Sequence, residues 1–117
     1  MSEIELDDNA RLRYMLDAGL EALSFVEGKT RSTVESNRML SLALVKEIEI
    51  IGEAASKISK EFQEANPQLP WPAIVGMRNR LVHAYFDIDY DRLWDTVNHA
   101  VPPLIAELQK ILSDDRA

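Results

Sequence analysis

Leu40-Ser41-Leu42-Ala43-Leu44-Val45-Lys46-Glu47-Ile48-Glu49-Ile50-Ile51-Gly52-Glu53-Ala54-Ala55 is the stretch that decides the fold. Here and just beyond, Leu40, Leu44, Ile48, Ile51, Ala55, Ile58 and Phe62 follow one another at intervals of three and four residues. Side chains so spaced leave an α-helix on one side, so the stripe predicts one long amphipathic helix from about Val34 to Glu64. The opposite face carries Lys46, Glu49, Glu53 and Lys57, a pattern that suits a solvated surface with weak ion pairs. A sharper use of Glu49 or Glu53 is to orient an arginine brought in from elsewhere in the chain.

Working outward, a second stripe precedes this one: Leu12, Leu16, Leu20, Leu23 and Val26. Asp7-Asp8 can cap its start and Gly28 can stop it, which predicts a helix over Asn9 to Glu27 despite Gly19 in its interior. Ser32 or Thr33 is the expected cap of the long helix. Beyond that helix, Asn66-Pro67-Gln68-Leu69-Pro70 cannot lie in a helix interior, because each proline lacks an N–H and clashes with the preceding turn. Pro72 suits the first turn of a short third helix running to about His83. Asp87-Ile88-Asp89 breaks it and caps a fourth, whose stripe is Leu93, Val97, Val101, Leu104, Leu108 and Ile111. Pro102-Pro103 sits inside that stripe and demands a kink, or an end near His99 with a restart. Trp71 and Trp94 are expected to anchor the core, and the tail from Ser113 to fray. No strand-like alternation or internal repeat is visible. The expectation is an all-α antiparallel four-helix bundle, five-helix if the prolines split the last rod, in one domain over residues 1–117.

Composition narrows the function classes. The chain has 117 residues, 46% of them hydrophobic and 28% charged, near the globular average. With no cysteine, a disulfide or thiolate zinc site is excluded, and no cofactor is called for. The acidic start Met1-Ser2-Glu3-Ile4-Glu5 lacks a basic leader, and apolar runs are short, so a cytoplasmic protein without membrane contact is expected. The formal charge of -7 argues against a broad basic face that coats nucleic acid. It leaves room for a small basic pocket.

That pocket has one candidate: Arg78-Asn79-Arg80-Leu81-Val82-His83-Ala84-Tyr85, a run with no carboxylate in an acidic chain. Cutting RNA without a metal needs a base for the ribose 2′-hydroxyl, an acid for the leaving oxygen and a cation for the charged phosphorane. His83 suits proton transfer near neutral pH. Arg78 can hold a phosphate through two N–H groups, and Arg80 could add charge. Asn79 can orient either group, and Tyr85 can hold a phosphate oxygen or stack on a base. On an ideal helix Arg78 and His83 would point roughly 140° apart. They meet only if the helix unwinds near Val82, or if a two-fold homodimer gathers both pairs into one cleft. The bland alternatives are a capped histidine and solvated arginines. Asp95 and His99 share a helix face, but without a third ligand they read as a surface pair.

The ordered set Arg78-Asn79, His83 and Tyr85 resembles the signature of the HEPN superfamily, in the form found in HepT-like toxins. Ile50-Ile51-Gly52-Glu53-Ala54-Ala55, Pro70-Trp71 with Ile74 to Met77, and Trp94-Asp95-Thr96-Val97 with Pro102-Pro103-Leu104 are similar too. The likeness spans roughly Leu40 to Leu112. It implies a dimeric, metal-independent endoribonuclease with Arg78 and His83 as the catalytic pair and Asn79 in support. It also implies a toxin paired with a minimal nucleotidyltransferase antitoxin that can transfer AMP to Tyr85. A bulky anion there would fill the cleft and repel an RNA phosphate. The alternative is a non-catalytic helical partner or substrate of such a nucleotidyltransferase.

Overall fold

The structure is a computed structural model that describes residues 7–114. Helix α1 covers Asp8–Val26, α2 Arg31–Ser36, α3 Arg38–Ser56, α4 Lys60–Ala65 and α5 Trp71–Val75. Two-residue strands β1 (Val82–His83) and β2 (Asp87–Ile88) follow, then α6 (Tyr90–Asp95) and α7 (Val101–Asp114). The acidic segment before Asp7 and residues 115–117 lie outside the described residues. Ser113, where fraying was expected, is still in α7.

Asp7 starts α1 by accepting a hydrogen bond from the Ala10 N–H at 2.8 Å, and Gly28 ends it with φ +73°, which glycine adopts without steric penalty. Helix α1 is the central rod. At one end Arg11 donates to the Lys57 carbonyl at 2.7 Å, just past the end of α3, and further along Glu21 meets Glu47. The two helices therefore run antiparallel. On its other side Gly19 lies against Ile105 and Val101 of α7, while Arg13 and Leu16 lie beside Gln109 and Leu112, again antiparallel. The missing side chain at Gly19 lets α7 approach closely. Leu12, Met15, Leu44, Ile48, Ile51, Leu93, Val97 and Leu108 are fully buried between these rods, which is the all-α bundle the stripes predict.

The single helix expected over Val34 to Glu64 is three. Asn37 adopts an extended backbone and caps α3, its side chain accepting from the Leu40 N–H at 3.1 Å. The buried Ser41 hydroxyl donates to the Val34 carbonyl at 2.6 Å and staples α2 to α3. The apolar stripe keeps its phase across this break, so periodicity alone does not reveal it. Thr30, rather than Ser32 or Thr33, caps α2. At the far end Ser59 caps α4, and its N–H and hydroxyl donate to Asp8 at 2.9 and 2.6 Å.

The third helix expected to reach His83 stops at Val75. Arg78–Arg80 forms a 3-10 turn, with the Leu81 N–H donating to the Arg78 carbonyl at 3.0 Å. Strands β1 and β2 then pair antiparallel, Val82 opposite Ile88 and His83 opposite Asp87, a small ladder that no alternation in the sequence announces. Asp89 caps α6 as expected. The helix does not end near His99. Thr96–Ala100 widens into a π-helical turn, with the Val101 N–H donating to the Thr96 carbonyl. This places Pro102 and Pro103 in the first turn of α7, directly after the widened turn. Trp71 is buried, its indole N–H donating to the Asn66 carbonyl at 3.0 Å. Trp94 is only half-buried, at the rim of a groove with Leu20 and Leu23. No helix among the described residues is long and apolar enough to cross a membrane.

Candidate active site

Gly52 positions the site. A Cβ at this residue would stand 3.1 Å from the Val75 carbonyl oxygen and 3.3 Å from that of Ile74. Only glycine lets the end of α5 rest directly on α3. The chain leaving α5 through Gly76 therefore delivers Arg78 against the charged face of α3.

There the Arg78 Nε lies 3.8 Å from Glu49 Oε2. That is an ionic contact but too long for a hydrogen bond, and the buried Nε has no hydrogen-bond partner. The guanidinium carbon also sits 5.5 Å from the centroid of the Phe86 ring. Arg78 and Asn79 line an open cleft of about 340 Å³ with Glu49, Gly52, Glu53, Ser56 and Val75. The structure thus brings together Arg78, Asn79, Glu49 and Glu53. Glu53 is also 3.8 Å from Lys57 Nζ, on the exposed face.

His83 and Tyr85 are not among the residues lining that cleft. Both are exposed on the β1–β2 connection, Tyr85 completely so. Tyr85 and Phe86 hold left-handed backbone angles, φ 61° and 57°. Such angles cost a residue with a Cβ on the order of 1–3 kcal/mol, and they cluster at functional positions. Unwinding near Val82 was one of the two ways for Arg78 and His83 to meet; the helix ends earlier, at Val75 before Gly76, and the motif has no regular α-helix. Arg80 turns back, donating to the Ala73 carbonyl at 2.6 Å beside Gly76. It ties the 3-10 turn to α5 and does not line the Arg78 cleft. Asp95 and His99 are exposed, and no group of three or more potential ligands is placed to hold a metal among the described residues.

One titrating residue was not singled out from the sequence. Glu47 is buried against α1; burial first, and then hydrogen bonding to Glu21 and its like charge, pushes its carboxyl up to about 7. Its position in the stripe, between Leu44 and Ile48, was the available signal.

A family model described as "Ribonuclease HepT-like" matches residues 15–111. The match takes in most of α1 and so extends beyond the Leu40 to Leu112 likeness read from the motifs. "Putative RNase MJ1380" of Methanocaldococcus jannaschii is 36% identical over 103 residues, covering 88% of this chain and 94% of its own. "Probable ribonuclease HepT" of Thermococcus cleftensis is 34% identical over 95 residues, covering 78% and 86% respectively. No solved structure matches the chain significantly. The chain belongs to the HepT-like ribonuclease family.

Proposed function

We propose that this chain is an endoribonuclease toxin that cuts RNA by proton transfer, without a metal, at a site shared by two copies. The His83 imidazole of one copy takes the proton from a ribose 2′-hydroxyl. The freed oxygen attacks phosphorus, the bond to the 5′-oxygen breaks, and that oxygen takes a proton from water, which the imidazolium then makes good. The products are a 2′,3′-cyclic phosphate and a 5′-hydroxyl. Arg78 offsets the charge that builds on the phosphorane, oriented by Glu49, and Asn79 and Tyr85 hold the strand.

The observation that carries this reading is the state of Arg78: its Nε is buried, without a hydrogen-bond partner, and its carboxylate neighbour stands off at 3.8 Å. The side chain is still 32% exposed in the open cleft, so its terminal N–H groups can be given to an anion. Because His83 does not line the Arg78 cleft, a two-fold mate is the economical way to supply the imidazole. A nucleotidyltransferase antitoxin silences the enzyme by placing AMP on Tyr85, whose full exposure on a strained turn suits modification. The same exposure favours a second reading, in which the chain is only the substrate of that transferase.

Incubating the purified chain with total RNA in excess chelator separates the two. The first reading expects cleavage that His83→Ala and Arg78→Ala abolish while helical content is retained. Intact RNA in every preparation would leave only the second.

A further inference from the structure

Phe86 touches two arginines. The Arg78 guanidinium carbon is 5.5 Å from its ring centroid and that of Arg38, the first residue of α3, is 5.8 Å away. Arg38 is exposed, and none of the ion pairs among the described residues involves it. Most of the other arginines among the described residues differ: Arg31 and Arg92 face carboxylates, and Arg11 and Arg80 donate to backbone carbonyls.

Two guanidinium groups on one ring repel each other, and Glu49 is too distant from Arg78 to hydrogen-bond to it. A cation–π contact occupies none of a guanidinium's N–H groups, so both forks stay available to an acceptor. An anion between them would remove the repulsion. The left-handed backbone at Phe86, φ 57°, belongs to the turn that brings this ring against both cations.

The geometry points to a two-arginine clamp, Arg38 and Arg78 held on Phe86, that binds the phosphodiester backbone of single-stranded RNA, with Arg38 taking a phosphate beside the scissile one. The inference rests on the ribonuclease reading above and extends it: Arg38 is a substrate-positioning residue outside the motif.

The test is RNA binding by the full-length His83→Ala chain, which does not consume its ligand. A fluorescent single-stranded RNA oligonucleotide of mixed sequence is titrated across a range of salt concentrations. In that background Arg38→Gln is expected to weaken binding about tenfold at low salt. It should also flatten the dependence of log affinity on log salt by about 0.7, the release from one single-strand phosphate. Arg38→Lys, which keeps the charge, should restore most of the slope but less of the affinity. In the cleaving protein Arg38→Gln should raise KM more than it lowers kcat. If the parent binds RNA and Arg38→Gln leaves affinity and slope unchanged, the clamp is wrong and the ribonuclease reading stands. If the parent binds no RNA and the unmutated chain cuts none, both fall.

Discussion

The Arg78 Nε and the Glu49 carboxylate stand 3.8 Å apart, close enough to attract and too far to hydrogen-bond. On the proposed mechanism Glu49 aims the guanidinium without occupying it, and its negative charge also repels an incoming phosphate. Glu49→Gln is expected to lower kcat about tenfold, because an unaimed Arg78 stabilises the transition state less well. The same change should lower KM. Steady-state kinetics on an oligoribonucleotide check both directions, and unchanged values of each would remove Glu49 from the site.

The contact of α3 with α5 should be as sensitive as the chemistry. Gly52→Ala pushes a methyl into two backbone carbonyls at 3.1 and 3.3 Å, which cannot swing away as a side chain would. A loss of about 1–3 kcal/mol in urea unfolding is expected, together with reduced cleavage as Arg78 shifts.

The strained turn makes the opposite prediction. Tyr85 is fully exposed with φ 61°, so removing its side chain loses no packing and relieves a left-handed backbone. Tyr85→Gly should raise stability by about 0.5–1 kcal/mol after the entropy of the freer unfolded chain is counted. It should also abolish acceptance of AMP from a nucleotidyltransferase, measured as the absent mass increment. A less stable variant would mean that Tyr85 is held by something other than solvent.

Glu47 sets a pH dependence. Its carboxyl rises from an ordinary 4.5 to about 7 on folding, so the folded state binds the proton more tightly than the unfolded chain does. The stabilisation is full below pH 4.5 and is lost as pH rises through 7, by up to about 3 kcal/mol. Glu47→Gln keeps a hydrogen-bonding partner for Glu21 and should flatten the fall. Urea midpoints from pH 4.5 to 8 read this directly. A wild-type profile that stays flat would show that the Glu47 carboxyl is not raised.

Much of the bundle was legible in the sequence because burial on one face leaves a periodic trace. Leu12 to Val26 and Leu93 to Ile111 mark their helices, although Leu20 of the first stripe is exposed and α1 buries Met15, Ala18 and Ala22 beside Leu12 and Val26; Gly28 and Asp89 mark boundaries by backbone chemistry. Breaks that keep the stripe in phase leave no such trace, which is why Asn37 and Ser59 interrupt a helix that reads as continuous. The motif itself is misleading at short range. Its residues tolerate a helix, yet tertiary contacts hold them in a 3-10 turn, a two-residue strand and left-handed backbone. Arg78 and Glu49 could be nominated separately, but nothing local pairs them. Arg38 on Phe86 is a long-range contact with no spacing rule behind it.

The shared site is tested most directly by mixing two inactive chains. Arg78→Ala and His83→Ala proteins, unfolded together and refolded as an equal mixture, form dimers in which one copy keeps the guanidinium and the other the imidazole. A shared site predicts that cleavage, absent from either variant alone, returns in the mixture and tracks the fraction of mixed dimer. A mixture containing mixed dimers that leaves RNA intact, beside an active unmutated chain, would contradict it.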